Sequence, residues 1–514
     1  MRQSFAEGRK DWLVAAVGGL LLTLSFPRYG HGLVAWVALL PLFWLGATAS
    51  AGRCFKLGWL TGVCHGLSLL YWIVHVVNHY GNLPFLVSLL VCFSLVSYLA
   101  LFPALFCAGL SWLRNKNLPW LLLSPALWVA LELGKSRLLT GFPWENLGYS
   151  QYRFLPLIQI AEITGVYGIS FVLVLVNALL FQLIPTAGSR SRPLVRTAPL
   201  LLAGGVILAL LGYGSWRLRT LEHLSGQFFK VAMIQGNISQ DTKWDPVFQE
   251  TTMKHYMRLT AKAAQDKPDL IVWPETATPF YFLVDVDNSR ALIHEIQDLA
   301  TPLLFGSPAY DYQGGRLRFY NRAYLLNGLG QVTGYYDKVH LVPFGEYVPW
   351  KRVLFFVNRL VQAAGDFASG GRPGVLSSPP ARLGVLICYE AIFPELSRDL
   401  VAGGANLLVN ITNDAWFGRS SAPYQHLSMA VLRTVENRVP MVRCANTGIS
   451  AFIDARGCIL QGTKLFQTAI LTDTLRLGKG QTTYCRYGDW FPLSCLVVCL
   501  LVLGAAATRR RFGR

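Results

Sequence analysis

Charge is what this chain has least of. Only 14% of its 514 residues are charged and its mean hydropathy is +0.38, a balance that excludes an ordinary soluble protein and points to a membrane. Acidic residues are scarcest at the two ends. Glu7, Asp11, Glu132, Glu145 and Glu162 are the only ones before residue 217, and none follows residue 490. The middle is therefore the aqueous part. Also missing are a CxxC pair, a Cys/His spacing suited to zinc and a glycine-rich nucleotide fingerprint, so neither a metal nor any other cofactor is expected. The formal net charge is +18, yet much of it flanks apolar runs and no nucleic-acid motif accompanies it. Anionic lipid, not nucleic acid, is the partner this charge predicts.

What is present begins with apolar runs near the ~20 residues that cross a bilayer. They lie at Trp12 to Phe26, Leu33 to Ala49, Leu57 to Val77, Leu83 to Leu113, Leu118 to Leu133, Ile163 to Ile184, Ala198 to Trp216 and Phe491 to Ala507. Eight spans are predicted, the first and fifth short, with Pro103 kinking the fourth. Lys and Arg collect at Arg2/Arg9/Lys10, Arg53/Lys56, Arg114/Lys116, Arg190/Arg192/Arg196 and Arg509/Arg510/Arg511/Arg514, all on one side of such a layout, which is the cytoplasmic side. The loop Asn78 to Asn82 carries none. Lys135, Arg137 and Arg153 break the pattern; they suit either an interfacial segment meeting lipid phosphates or snorkelling side chains. The expected domains are a seven-span membrane domain at 1–216, an extracytoplasmic domain at 217–490 and a final span with a basic tail at 491–514. The first apolar run has no small-x-small cleavage site after Phe26 and is read as a retained helix.

Six of the ten cysteines, Cys54, Cys64, Cys92, Cys107, Cys495 and Cys499, fall in or beside apolar runs. Cys388, Cys444, Cys458 and Cys485 occupy the middle block, where an oxidising compartment permits disulfides without specifying any. In that block short apolar strands (Val231 to Ile234, Leu270 to Trp273, Leu303 to Phe305, Ala323 to Leu326, Leu383 to Ile387, Asn406 to Ile411, Met441 to Cys444) alternate with helical stretches at Pro246 to Ala264, Asn288 to Ala300, Ala391 to Val401 and Tyr424 to Asn437. The pattern predicts a layered α/β domain.

Chemistry concentrates at the ends of these strands. Cys388 closes the run Leu383 to Ile387 just before a helical stretch, and a strand-to-helix turn is a place where a thiol is exposed and its thiolate favoured. A lone cysteine is more often a small core hydrophobe; its company changes the reading. Glu275 ends the run Asp269 to Pro274, and Lys338 lies between Tyr335-Tyr336-Asp337 and Val339-His340. A thiol with a pKa near ~8.5 needs a base, for which Glu275 is the candidate. Attack on an acyl carbonyl creates an oxyanion, which Lys338 and the backbone N–H after the nucleophile are suited to stabilise.

The segments WPET, YDKVHLVPFGEYVP and GVLICYE resemble the Glu-Lys-Cys motifs of the nitrilase, or carbon-nitrogen hydrolase, superfamily. Taken end to end, the chain resembles the apolipoprotein N-acyltransferase family, a membrane-embedded branch of it. The resemblance implies a nitrilase-like α-β-β-α sandwich in the periplasm, carried by a multi-pass bacterial inner-membrane protein. It also implies catalytic Glu275, Lys338 and Cys388, with the sn-1 acyl chain of a phospholipid, typically phosphatidylethanolamine, passing through a Cys388 thioester. The acceptor it implies is the α-amine of diacylglyceryl-cysteine at an apolipoprotein N-terminus. Glu346 is implied to hold Lys338 or share acid-base work, with Tyr389 and Glu390 as further supporting residues; Glu390 equally suits a plain helix N-terminus. Trp244, Trp416 and Phe417 lie in segments that resemble the family's substrate-side loops, or else are core aromatics. Asn321 is a candidate for orienting the site. Asp366 to Gly374 with Phe355 and Phe356 is a candidate flap. Two other functions stand beside this one: a membrane-tethered amidase, in which water resolves the thioester, and a non-catalytic lipid-binding protein.

Overall fold

A computed structural model describes residues 2–184, 193–222, 226–241, 243–313, 315–349, 367–372 and 374–512. Arg190, Arg192 and Arg514 of the basic clusters, and Phe355, Phe356 and Asp366 of the candidate flap, lie outside the described residues. The chain forms two compact units, one of Met1–Val74, Phe85–Glu222 and Tyr487–Arg514, the other of His75–Pro84 and His223–Arg486.

The first unit is helical. Among the described residues three helices, Phe85–Asn115, Thr197–Glu222 and Trp490–Thr508, are long and apolar enough to cross a membrane. Two more spans result if each bent pair counts as one: Ala51–Leu69 with Trp72–Tyr80, bent by 55°, and Leu155–Thr164 with Val166–Phe181, bent by 118°. The number is lower than the eight apolar runs because some runs are broken and others lie on helices, Arg2–Thr23 and Trp120–Arg137, that carry charged residues within their length. The run from Leu33 is divided into a 3-10 turn, Gly32–Trp36, and a short helix, Leu40–Thr48. Its freed backbone groups are met by buried Asn177, which donates to Ala35 O at 2.9 Å and accepts from Leu39 N at 3.0 Å, as an apolar environment demands. In the fourth run the helix is interrupted between Leu99 and Leu101, one turn before Pro103. Proline has no N–H for the Leu99 carbonyl, which is the physical basis of the expected kink.

The second unit holds two six-stranded sheets. One has the order β12-β1-β2-β3-β4-β5, from β1 (Phe228–Gln235), β2 (Leu270–Val272), β3 (Leu303–Gln313), β4 (Arg316–Leu326), β5 (Val332–Asp337) and β12 (Ala469–Arg476). The other has the order β11-β10-β9-β8-β7-β6, from β6 (Val375–Ser378), β7 (Ala381–Ile387), β8 (Leu407–Thr412), β9 (Met441–Ala445), β10 (Ala451–Ile453) and β11 (Ile459–Gly462). The central strands β1-β2-β3 and β7-β8-β9 run parallel, so their C-terminal ends share one edge of each sheet.

Alternation along the strands explains the layering. Val231, Met233, Leu270 and Val272 face Val385, Ile387, Val409 and Val442 in a core between the sheets. Ala232, Ile234, Ile271 and Trp273 point the other way, onto helices α1 (Pro246–Ala264) and α2 (Val286–Leu299). Burial on both faces makes these strands read as continuous apolar runs. Helices α3 (Pro394–Ala402) and α4 (Ala422–Asn437) complete the second outer layer, α3 packing on β7 and α4 on α3.

Two local expectations change. The helix read from Ala391 starts at Pro394, and Cys388–Ile392 is a separate 3-10 turn; proline suits the first turn of a helix and holds Phe393 extended. The outer strands β5, β6, β11 and β12 were not predicted because exposed positions dilute their apolar pattern, and buried β10 because three residues are too few to show a period. Among them β5 is anchored by Arg322 of β4, whose guanidinium bonds Asp337 at 2.6 and 3.0 Å and Asp311 at 2.6 Å and lies 4.0 Å over the Tyr335 ring. Replacing Arg322 by Met leaves half-buried Asp337 without its cation. The expected cost is about 3 kcal/mol, read as a lower unfolding midpoint of the purified protein.

Candidate active site

β7 ends in Cys388, which adopts a left-handed backbone, φ +53°. A non-glycine residue holds that conformation only where its surroundings impose it, at a cost of about 1–3 kcal/mol. Here the constraint is visible on the Cys388 carbonyl. Asn410 of β8 donates to it at 3.4 Å and His426 Nε2 at 3.0 Å; a carbonyl only accepts, so the histidine carries its hydrogen on Nε2. Arg443 of β9 lies behind both, bonding Asn410 Oδ1 and, at 2.8 Å, Asp414 Oδ2, and facing His426 Nδ1 at 3.2 Å. Against its burial, the Arg443 charge and a hydrogen bond from His426 hold Asp414 at about 2. Burial and the Arg443 charge lower the His426 pKa, although Asp414 opposes them. His426 Nδ1 lies 3.2 Å from Asp414 Oδ1 as well as from Arg443, which fixes the ring between them.

Lys338 follows β5 and is almost completely buried, at 1% exposure. Its ammonium lies 2.8 Å from Glu346 Oε1 and 3.6 Å from Glu275 Oε1. Burial alone would lower its pKa, but the two carboxylates and Cys388 raise it, so Lys338 stays a cation. Glu275, beyond β2, is fixed at both oxygens: Asn321 Nδ2 donates to Oε1 at 2.7 Å and Asn413 N to Oε2 at 2.8 Å. Asn321 also reaches Glu346 Oε1 at 3.2 Å, and Val342 N holds the other Glu346 oxygen at 2.8 Å. Burial pushes the Cys388 thiol well up; Glu275 adds to this and Lys338 opposes it. A resting thiol beside a carboxylate base and a permanent cation is an arrangement for attack on an acyl carbon followed by oxyanion stabilisation. Glu275, Lys338 and Cys388 come together from three strand ends on two sheets.

A family model described as the apolipoprotein N-acyltransferase N-terminal domain matches residues 18–179, and one described as carbon-nitrogen hydrolase matches 230–484. The chain is 49% identical over 504 residues to the apolipoprotein N-acyltransferase of Geobacter metallireducens, covering 98% of this chain and 96% of that protein. The chain belongs to the apolipoprotein N-acyltransferase family. The protein of the same name from Methylococcus capsulatus is 35% identical, with 98% of this chain and 97% of that one covered. A carbon-nitrogen hydrolase structure from Helicobacter pylori G27 aligns with 48% of this chain and 89% of its own, at 15% identity and a TM-score of 0.38. By its apolipoprotein N-acyltransferase relatives, its carbon-nitrogen hydrolase match and its apolar helices, the protein is a bacterial membrane enzyme of lipoprotein N-acylation with a nitrilase-like fold.

Glu346 sits beside Lys338, and Asn321 bridges it to Glu275. Glu390 is no exposed helix terminus, being fully buried. Its Oε1 accepts from Val339 N, His340 N and Tyr336 Oη at 2.7, 3.0 and 2.9 Å, and its Oε2 from Ile387 N at 2.7 Å. It thereby ties the Lys338 segment to the Cys388 turn. Burial raises its pKa to about 7, while the backbone donors and Lys338 pull it down. Tyr389 is buried, packing 5.1 Å from Phe393 and 5.9 Å from His340. Trp244 is half exposed. Trp416 meets Tyr80 edge-on at 4.8 Å, and the Tyr80 hydroxyl donates to Ala415 O at 3.2 Å. Thus the basic-free loop Asn78 to Asn82 belongs to the catalytic unit. Phe417 lies edge-on to His426 at 6.4 Å. None of the ten cysteines is bridged, and Cys444 is buried in the intersheet core.

Sequence reasoning missed Asn410, Asn413, Asp414, His426 and Arg443. Polar residues inside the apolar strands β8 and β9 were the available signal. For Glu390 the charge is less important than the pair of acceptor oxygens: glutamine would aim an NH2 donor at the Ile387 or Val339 side. We expect Glu390→Gln, although isosteric, to lower the unfolding midpoint by an amount equivalent to about 1–3 kcal/mol and to reduce acylation activity, checked on the same preparation.

Proposed function

We propose that the enzyme transfers the sn-1 acyl chain of a phospholipid, phosphatidylethanolamine being the donor typical of the family, to the α-amine of diacylglyceryl-cysteine in apolipoproteins. Glu275, Lys338 and Cys388 are its catalytic residues; Glu346, Tyr389 and Glu390 support them; Trp244, Trp416 and Phe417 contact substrate. In the first half-reaction Glu275 takes the Cys388 proton as Sγ bonds to the ester carbonyl carbon. The oxyanion is stabilised by Lys338 and the Tyr389 N–H. On collapse the C–O bond breaks, and the lysophospholipid alkoxide leaves with the proton held by Glu275. In the second half-reaction the amine attacks the thioester carbonyl and yields its proton to Glu275; the C–S bond breaks and the thiol is restored.

The observation that carries this reading is the convergence of a buried, permanently charged Lys338 and a doubly held Glu275 on a thiol in a constrained turn. The apolar helices of the other unit favour lipid-borne substrates, since both donor and acceptor reside in a bilayer. The clustering of Lys and Arg at one side of the apolar runs supports an inner-membrane protein with residues 217–490 in the periplasm, between membrane segments at 1–216 and 491–514.

Intact-protein mass spectrometry after incubation with defined phosphatidylethanolamine tests the proposal. Wild type is expected to gain one hydroxylamine-labile acyl mass and to release lysophospholipid, and Cys388→Ala to gain none. Glu275→Ala and Lys338→Ala should slow adduct formation by at least about 100-fold. A wild-type protein that binds the lipid yet forms no adduct would refute the thioester route; an adduct discharged by water but not by a diacylglyceryl-cysteine peptide would identify an amidase.

A further inference from the structure

A second lysine lies in this site without a part in the proposed chemistry. Lys243 is 3% exposed, and its ammonium donates to Thr276 Oγ1 at 2.6 Å and to Glu275 O at 3.2 Å. Both acceptors are neutral. Thr276 has φ +45°, a left-handed conformation that is a marked outlier for a β-branched residue. The lysine thus grips the two ends of a constrained residue directly after Glu275.

We propose that Lys243 is a positioning residue that locks the Glu275–Thr276 peptide and thereby aims the Glu275 carboxylate at Cys388. This rests on the reading of Glu275 as the base. Three observations carry it. A buried ammonium is costly to retain, and an apolar side chain would fill the same volume without that cost, so the two donated bonds have a purpose beyond packing. The segment that carries Lys243 also reaches Glu275 by a second route, because Gln240 Oε1 accepts from Asn413 Nδ2 at 2.7 Å and the Asn413 N–H holds Glu275 Oε2. Finally, Lys243 is the inward neighbour of half-exposed Trp244; one residue faces the base and the next faces outward, so the placement of this loop and of the base are mechanically coupled. Burial draws the Lys243 pKa down to about 8, with Glu275 and Cys388 opposing, consistent with an ammonium inside the site's own field.

Gly306 offers an independent probe. A Cβ added there would lie 2.4 Å from Thr276 N and 2.8 Å from Glu275 Cα, crowding the same peptide without touching the lysine.

The test uses the full-length enzyme in detergent, with two rates: alkylation of Cys388 by iodoacetamide, followed on its own peptide, and thioester formation from phosphatidylethanolamine. Lys243→Met is expected to slow both by about tenfold or more at an unchanged half-saturating lipid concentration and unfolding midpoint. Lys243→Arg, which keeps the donors, should recover to within about threefold of wild type. Gly306→Ala, which crowds the Thr276 backbone, should slow both rates with a lower unfolding midpoint; Lys243→Gln, too short to hold both acceptors, should show the Lys243→Met rates and decides the matter should Lys243→Met fail to fold. Wild-type rates in Lys243→Met, or a raised half-saturating lipid concentration at unchanged rates, would overturn the positioning role. Alkylation that depends on Lys243 in an enzyme that never forms the lipid thioester would keep the positioning role and remove the acyl-transfer route.

Discussion

Lys338 must keep a full positive charge where water hardly reaches it, and the site is built around that requirement. An ammonium moved into a protein interior is stable only when opposite charge and hydrogen bonds replace its hydration. Glu346 at 2.8 Å and Glu275 at 3.6 Å supply the charge, and Asn321 holds one oxygen of each. The result is a carboxylate pair with one cation between them. Glu346 is committed to the lysine, whereas Glu275 sits farther off and is oriented by neutral amides.

Cys388, the proposed nucleophile, depends on a separate support. Its thiol is made less acidic by burial, so reactivity requires geometry: the proton must leave along a defined direction toward a defined acceptor. The left-handed backbone at Cys388 sets that direction, and Arg443, Asp414, His426 and Asn410 hold the carbonyl on which it turns. Glu390 binds backbone N–H groups from both the Lys338 segment and the Cys388 turn, joining the two sheets beside the site. A deeply buried carboxylate acts here as a clamp between two sheets.

Why chemistry collects at strand ends follows from the core. Strands buried on both faces have no polar surface along their length; polar groups gather where the sheet stops and the chain turns. Parallel β1-β2-β3 and β7-β8-β9 stop on a common edge of each sheet, and the intersheet contacts set those edges at a fixed spacing. The ionisable groups are positioned by a rigid apolar body and tuned by their neighbours.

The apolar ends, the aqueous middle, the two-sided strands and the residue types of the site were all legible in the sequence, because composition and strand periodicity are local properties. Glu275 and Cys388 stood out since each closes an apolar run, Lys338 since it lies between Tyr335-Tyr336-Asp337 and Val339-His340, and Glu346 since it lies eight residues beyond Lys338. Helix continuity was not legible: the apolar run from Leu33 is broken in the structure, and the helix expected from Ala391 begins at Pro394. Nor were the clamp role of Glu390, the support of His426 by Arg443, or the burial of Lys243 against Thr276. Each of these depends on which distant segments meet. A side chain's identity is written at its own position, but its charge state, its partners and the strain it bears are set by neighbours tens or hundreds of residues away, which only the packed structure brings within bonding distance.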